Sequence, residues 1–400
     1  MAKRKGIISR IRSLFIGRAD DYSAFFAPND LDFGVTVSTD AALRFTAVFA
    51  AIKILSENIA ALPRTVKVVT DRGAVPAVDH PVYKLLRKAP NDYTDIFTFW
   101  FGVISNLLGY GNAFAIIEYD DEAHPVALHQ VHPSNMAVSF KDGRKTFVVK
   151  NVDPNRKWLN GTYLNWQVLH FMYFSLDGIY GLDPITYNAV AIGRGIAAQK
   201  FSAEFYKKGG NIKGVLETDG ELGDAKYAAF MKHYQEAARN FETPLLEYGI
   251  KYRSIGISPV AAQMINSEML SIQDIARIFS VPPHLLADLS HATFSNIEQQ
   301  NIFFSSYSLR PLCKRIEQQI ENKLLSSGDK EYSVKFDLRG MMRGDDAARS
   351  TFYEKAINAG WMTPNEAREQ EEMEMLPGLD KPRRPLNTVD VGEDNNADEG

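Results

Sequence analysis

Residues 275–300 read Ile275-Ala276-Arg277-Ile278-Phe279-Ser280-Val281-Pro282-Pro283-His284-Leu285-Leu286-Ala287-Asp288-Leu289-Ser290-His291-Ala292-Thr293-Phe294-Ser295-Asn296-Ile297-Glu298-Gln299-Gln300. An apolar helical pattern runs into Val281-Pro282-Pro283, where two successive prolines remove two backbone donors and disfavour helix in the residues before them. A polar loop, Asp288 to Asn296, separates this stop from a second helical pattern. Upstream, Ser258 suits an N-cap and Pro259 the first helical position. Ala261, Met264, Ile265, Ile272, Ile275, Ala276 and Phe279 then recur three or four residues apart. Downstream, a long helix is expected from Asn296 to Leu325, kinked at Pro311. Leu309, Leu312, Ile316, Ile320 and Leu324 form its apolar stripe.

Outward from this core, Pro184 to Lys208 carries another helical pattern, roughly 37 Å long at 1.5 Å per residue. Gly209-Gly210 ends it. A strand from Ile212 to Glu217, a helix from Asp224 to Phe241 and a strand from Leu245 through Tyr252 to Ile257 follow. A small α/β insert therefore sits between two long helices. Nearer the N-terminus, a helix begins at Thr39, with Thr39 or Asp40 as its cap, and stops at Pro63, and a strand covers Arg64 to Thr70 with a turn at Asp71-Arg72-Gly73. His80-Pro81 opens a short helix. The uncharged stretch Phe97 to Ile117 is long enough to span a bilayer, but Gly109-Tyr110-Gly111-Asn112 reads as a helix stop and turn. A buried helix followed by a strand, Ala113–Tyr119, is the preferred reading. Further strands are expected at Val126–Val131, Met136–Phe140, Thr146–Val149 and Val168–Phe174, with turns at Asp142-Gly143 and Asn160-Gly161. The fold class is α+β. A C-terminal helical hairpin starts at Asp345-Asp346, turns at Gly360 and resumes at the capping box Thr363-Pro364-Asn365-Glu366. The acidic tail is expected to be disordered.

Forty-five Lys+Arg against forty-nine Asp+Glu leave a formal charge of −4. Tight grip on a nucleic-acid backbone comes from many neutralised phosphates, so a protein of this balance that meets DNA should contain it or let it slide. One cysteine, Cys313, excludes an internal disulfide and a cysteine-based zinc site. No G-x-x-x-x-G-K-[ST], H-E-x-x-H or G-x-S-x-G occurs. Gly193-Arg194-Gly195 lacks a third glycine and reads as a close helix contact. His129 and His132, three apart at a strand end, point to opposite faces. Asp120-Asp121 reads as a hairpin turn and Cys313 as a core thiol. No cofactor and no metal site is expected. Two other readings stay open at this level: a metal-dependent nuclease using Asp120 and Asp121, and a membrane pore anchored by Phe97–Ile117.

Paired helices around an insert cannot bury all their apolar faces alone. Copies packed side by side can, and a closed ring is the natural assembly. From about Thr46 to Pro377 the sequence resembles the portal proteins of long-tailed double-stranded DNA bacteriophages. The resemblance is carried by Ser56-Glu57-Asn58-Ile59-Ala60-Ala61-Leu62-Pro63, by Pro90-Asn91, and by Gly109-Tyr110-Gly111-Asn112-Ala113-Phe114. Gly178-Ile179-Tyr180-Gly181-Leu182-Asp183-Pro184-Ile185 adds to it, as do residues 275–286 with 292–300, Leu309-Arg310-Pro311 and Met362-Thr363-Pro364-Asn365-Glu366-Ala367-Arg368. Ser280 stands where the family usually has glycine, and the stretch between Phe241 and Leu245 is shorter than usual.

The resemblance implies a basic N-terminal arm (1–38), a wing (39–183) and a stem helix (184–208). A clip (209–257), a second stem helix (258–283) and a tunnel loop (284–296) follow. A kinked tunnel helix with a wing return (297–340), a crown hairpin (341–376) and the acidic tail (377–400) complete the chain. It implies a twelve-subunit ring at one capsid vertex of the virion, assembled in the host cytoplasm. Double-stranded DNA passes through, the large terminase subunit docks first and a head–tail adaptor later, beside major capsid and scaffolding proteins. No membrane and no catalytic residue is implied. The tunnel loop would present Asp288, Leu289, Ser290, His291, Thr293, Phe294, Ser295 and Asn296 to the duplex, with Leu289, His291, Thr293 and Phe294 nearest as a steric collar. Lys200, Lys207 and Lys208 are candidates for sequence-independent phosphate contacts. Asp224, Lys226, Glu242, Tyr248 and Lys251 are candidates for docking the motor and adaptor.

Overall fold

The computed structural model describes residues 36–71, 73–207, 214–218, 220, 223–239, 246, 249–254, 271–288, 294–325, 331–338, 346–371 and 373–382. The chain divides into two units, one ending at Asp337 and one beginning at Leu338.

The helix expected from Thr39 is two helices, α1 (Thr39–Leu43) and α2 (Thr46–Ala61). Ser38, not Thr39 or Asp40, caps α1 through its hydroxyl, which accepts from the Ala41 amide at 3.1 Å. The break has a packing cause. Phe45 takes an extended conformation, and its ring lies where a Cβ on Gly195 would be 2.7 Å away. β1 (Arg64–Thr70) is the expected strand, and it is followed by β2 (Gly73–Pro76), a strand absent from the sequence reading. His80 caps α3 (Pro81–Arg87), its Nδ1 accepting from the Val82 amide.

Asp95 caps α4 (Ile96–Tyr110), and Gly111 closes it in the left-handed region at φ +70°. β3 (Asn112–Tyr119) leaves directly from that turn. The uncharged stretch is thus a buried helix and a strand. α4 packs along α2, with a Ser105–Ser56 hydroxyl pair at 3.0 Å in the apolar seam. Among the described residues no helix is long and apolar enough to cross a membrane.

β4 (Pro125–Val131), β5 (Met136–Lys141), β6 (Arg144–Val149), β7 (Gly161–Leu164) and β8 (Val168–Met172) follow. β7 is absent from the sequence reading: the turn placed at Asn160-Gly161 gives way to a strand that pairs with β6 from Gly161 to Leu164. Two antiparallel sheets result, ordered β4-β3-β8 and β5-β6-β7. Phe114, Val138, Phe147, Leu159 and Val168 form one buried cluster between them.

The pattern from Pro184 is also split. α5 (Pro184–Tyr187) ends at Asn188, whose Nδ2 donates to the Pro184 carbonyl at 2.8 Å, and α6 (Ala189–Lys207) follows. Side-chain amides that bond back to the backbone in this way compete with helix. β9 (Gly214–Glu217), α7 (Asp224–Arg239) and β10 (Lys251–Ser254) make the strand–helix–strand insert, the strands antiparallel with Lys251 opposite Glu217. Of the two expected strands, residues 212–213, 245, 247–248 and 255–257 lie outside the described residues, as does the whole Ser258-Pro259 cap.

A helix, α8, occupies 271–279 and stops at the prolines, where Pro283–Leu286 form a 3-10 turn. α9 (Phe294–Phe303) widens into a π-helical turn at Phe304–Leu309 and continues as α10 (Arg310–Leu324). The irregularity expected at Pro311 therefore begins upstream, at Phe304. Pro311 has no N–H for the Tyr307 carbonyl, and the change of hydrogen-bond register absorbs that missing donor. Leu309, Leu312, Ile316, Ile320 and Leu324 are all buried. Cys313 is buried beside them, and burial pushes its thiol up to about 12, which leaves it protonated and inert. β11 (Tyr332–Phe336), also absent from the sequence reading, pairs with β1 and completes a sheet ordered β11-β1-β2.

In the second unit, α11 (Asp346–Asn358) and α12 (Pro364–Gln370) form the expected hairpin. Gly360 has φ +75°, and the Thr363–Glu366 capping box closes reciprocally at 3.1 and 2.7 Å. The tail departs from expectation at its start. Asn365 Nδ2 donates to the Leu376 carbonyl and to Asp380 Oδ1, so the chain past residue 377 is tied to α12.

Lys145 on β6 and Lys323 on α10 both reach the Phe147 ring, at 5.7 and 5.9 Å. Burial, countered at Lys145 by Asp177 and reinforced at Lys323 by Lys145, pulls both ammoniums down to about 8. Unfolded lysine keeps its proton to about 10.4. Between about pH 8 and pH 10 the unfolded chain therefore holds more protons, and stability rises with pH. Lys145→Met removes one charge of the pair. It should stabilise the protein at pH 7 by about 1 kcal/mol, discounted for solvent screening, and flatten the rise in urea midpoint above pH 8. An unchanged pH profile would refute the coupling.

Candidate channel and docking sites

The long helices carry the candidate channel residues. Gly195 of α6 faces Phe45 and lies near Ser271 of α8, where a Cβ would be 3.3 Å from the Ser271 Cβ. Gly193-Arg194-Gly195 is thus a close helix contact, as its pattern indicates. One turn away, Asp274 receives two guanidiniums, Arg194 Nη2 at 2.6 Å and Arg277 Nη1 at 2.7 Å. Both arginines are exposed. One carboxylate thus neutralises half of the charge of this arginine pair. Sequence spacing could not reveal this triad, because Asp274 and Arg194 are eighty residues apart.

Lys200 and Lys207 are exposed on α6 and lie seven residues, about two turns, apart on one side of the helix. Lys208 lies outside the described residues. Asp288 is half-buried. Leu289, Ser290, His291 and Thr293 lie outside the described residues. Phe294, Ser295 and Asn296, expected in the loop, are the first residues of α9. The loop is shorter at its C-terminal end than its polarity implies. Thr293, a residue type favoured immediately before a helix, precedes this start in the sequence.

The root of that loop is constrained on the α8 side. Ser280 has φ +54° and Ala287 φ +64°, bracketing the 3-10 turn. His284 reaches across to α9, Nδ1 lying 2.6 Å from Gln300 Oε1 and Nε2 3.2 Å from Asn301 Oδ1. Ser308 Oγ donates to the Ser280 carbonyl. No sequence motif marks this clamp. The left-handed backbone at Ser280 explains why glycine suits the position. Ser280→Gly removes the Cβ strain of that region and should raise stability by about 1 kcal/mol in urea titration. A lowered midpoint would show that the serine side chain outweighs its strain.

On the insert, Asp224 opens α7 and Lys226 follows in its first turn, both exposed. Asp224 places a negative charge at the positive end of the helix dipole. Lys251 begins β10 and is exposed. Glu242 and Tyr248 lie outside the described residues.

Asp120, one of the two acids of the nuclease reading, and the histidines at 129 and 132 have local roles. Asp120 Oδ1 accepts from the Glu122 and His124 amides in the β3–β4 turn. His129 is buried between Glu118 Oε2 at 2.7 Å and the Tyr93 hydroxyl at 2.9 Å. His132 caps a 3-10 turn, accepting from the Ser134 amide. Among the described residues no group of three acidic, histidine or cysteine side chains converges to hold a metal ion.

Comparison with known proteins adds the family. The phage portal protein family model matches residues 46–372. The portal protein of Enterobacteria phage HK97 is 28% identical over 365 residues, covering 89% of this chain and 85% of the relative. The probable portal protein of Streptomyces phage phiC31 is 32% identical over 378 residues, covering 90% and 82%. Among solved structures, a chain in the neck of an empty gene transfer agent particle superposes with a TM-score of 0.59 at 22% identity, covering 88% of this chain and 95% of that one. An HK97-family portal protein from Corynebacterium diphtheriae gives 0.55 at 17% identity, covering 75% and 95%.

Proposed function

The chain belongs to the phage portal protein family, and from that premise we propose that twelve copies close into a ring at one capsid vertex, through which double-stranded DNA is packaged, retained and ejected. The family match over residues 46–372 carries the portal role. In this reading residues 39–183 with the β11 return are the wing, and α6 and α8 the stem. The β9–α7–β10 insert is the clip, α9–α10 the tunnel helix, and α11–α12 the crown. The clip residues Asp224, Lys226, Glu242, Tyr248 and Lys251 dock the large terminase subunit and then the adaptor. The wing and crown lie against capsid and scaffolding proteins. The terminase supplies the ATPase, and the ring supplies a passage.

A passage for a moving duplex works best with few phosphate contacts, since each one adds to a salt-dependent trap. Asp274 supports this reading by holding Arg194 and Arg277 in ion pairs. Summed over twelve copies, the formal −4 per chain is about −48, which disfavours clamping. Leu289, His291, Thr293 and Phe294 form the steric collar, carried at the root held by His284.

Negative-stain imaging with mass photometry of the purified chain tests the assembly. A ring of about twelve subunits with a central hole is expected. A stable monomer that cuts DNA with Mg²⁺, or a species that partitions into detergent, would overturn it. Packaging by rings carrying Phe294→Ala and His291→Ala tests the collar, and normal packaging with full DNA retention in both would remove it.

A further inference from the structure

The described chain begins inside a groove of about 540 Å³. Thr36 and Arg44 stand on one wall, Lys200 and Ala203 of α6 on the other, and Phe45 and Ile196 contribute to its lining. Phe45 and Ile196 are buried, so this apolar part is already fixed by the fold. Arg44 and Lys200 are exposed, and among the described residues neither is in an ion pair. Among the described residues of the lining Asp40 is the single acid, so with Arg44 and Lys200 they carry a net positive charge.

The sequence entering this groove is Asp30-Leu31-Asp32-Phe33-Gly34-Val35-Thr36. It alternates acid and large apolar residue, and in an extended chain alternate side chains face opposite ways. Leu31 and Phe33 share one face, Asp30 and Asp32 the other. The lining part of α6, residues 196–203, rises about 10.5 Å. The three residues from Phe33 to Thr36 reach about 10 Å when extended. Because Thr36 itself lines the groove, the chain's own preceding residues need close only a short loop to enter it.

We propose that this groove is the docking site of the chain's own segment 30–35. Leu31 and Phe33 sit over Phe45 and Ile196, and Asp30 and Asp32 meet Arg44 and Lys200. The proposal does not depend on ring assembly. It reassigns Lys200 from a DNA phosphate contact to a holder of the arm, and it fixes where the basic stretch 3–18 leaves the stem helix.

Disulfide trapping in the full chain tests it. Asp32→Cys with Lys200→Cys replaces one proposed ion pair by a bond, and the native Cys313 is buried and does not compete. Mild oxidation should link most chains internally, as read by peptide mass mapping after proteolysis. Adding Phe33→Ser should lower that yield at least fivefold. A ladder of linked subunits would assign the groove to a neighbour's arm and overturn the proposal. So would a yield no higher than that of an Asp32→Cys, Tyr227→Cys control, or one unmoved by Phe33→Ser. Far-UV circular dichroism of the reduced variants should match the parent, which separates failure to dock from failure to fold.

Discussion

Gly111→Ala and Gly181→Ala should each cost more than about 4 kcal/mol, enough to remove most of the stability typical of a domain. Gly111 ends α4 at φ +70°, where a side chain alone costs about 1–2 kcal/mol. Steric overlap costs more. A Cβ on Gly111 would lie 2.0 Å from the Leu182 carbonyl oxygen, and one on Gly181 would lie 2.1 Å from the Gly111 carbonyl oxygen. Backbone meets backbone here, so no flexible side chain can give way. Separating the two segments would break the buried bonds beside them. Asn112 Nδ2 donates to the Gly181 carbonyl at 2.7 Å, and its Oδ1 accepts from the Gly181 amide at 2.8 Å. The same Oδ1 lies 2.9 Å from His170 Nε2. Burial holds the His170 imidazole well below its ordinary value, so Nε2–H of a neutral ring is the donor. Each buried polar group left unpaired costs about 1–3 kcal/mol.

Urea titration followed by tryptophan fluorescence reads the effect, since Trp100 lies fully buried in the same unit. Gly143→Ala is the control. Gly143 has φ +74° with nothing within 4 Å of its added Cβ, so it should lose only the conformational part, about 1 kcal/mol. Midpoints for the Gly111 and Gly181 variants no lower than this control would refute the crossing. The two glycines lie in two of the segments that carry the family resemblance, and this backbone crossing is a physical reason for both.

The same comparison separates what local sequence reveals from what it hides. Gly111, Pro63, the prolines at 282–283 and the Thr363 capping box are readable because cap chemistry acts within a few residues. The split at Phe45 is not readable, because its cause is a glycine one hundred and fifty residues later, at position 195. Asn188 and the π turn at Phe304 escape for a different reason: helical periodicity tolerates a single break. At the candidate channel, spacing picks out Lys200 and Lys207 as exposed cations. It misses Asp274, which binds the arginines beside them, and His284, which anchors the loop root. Both act across the space between elements, where periodicity carries no signal.

Glu317→Ala should destabilise the larger unit by about 3 kcal/mol, for a reason that also explains why β11 is hard to see in the sequence. Among the described residues β11 is an edge strand, paired on one side only with β1. Free strand edges template aggregation unless they are covered. Here α10 covers the edge with carboxylates rather than with another strand. Glu317 Oε1 accepts from the Phe336 amide at 2.9 Å, and Glu321 Oε1 accepts from the Val334 amide at 3.0 Å. Glu317 is buried, and its second oxygen takes Lys335 at 3.3 Å and Lys314 at 3.4 Å. Alanine leaves the Phe336 N–H unpaired and removes a charge-assisted bond worth about 1.5–3 kcal/mol, beyond the desolvation cost of the orphaned donor. Glu317→Gln keeps one acceptor for the amide but loses the lysine attraction, so its loss should be smaller. Hydrogen exchange at Phe336 separates the two variants: alanine should speed it at least tenfold, glutamine far less. Equal exchange in alanine, glutamine and parent would mean that the sheet stands without its carboxylate edge. An Arg64 guanidinium packed over Trp100 and Phe336 at 5.4 and 5.6 Å ties this edge to the α4 core, so the alanine variant should also shift the fluorescence of Trp100.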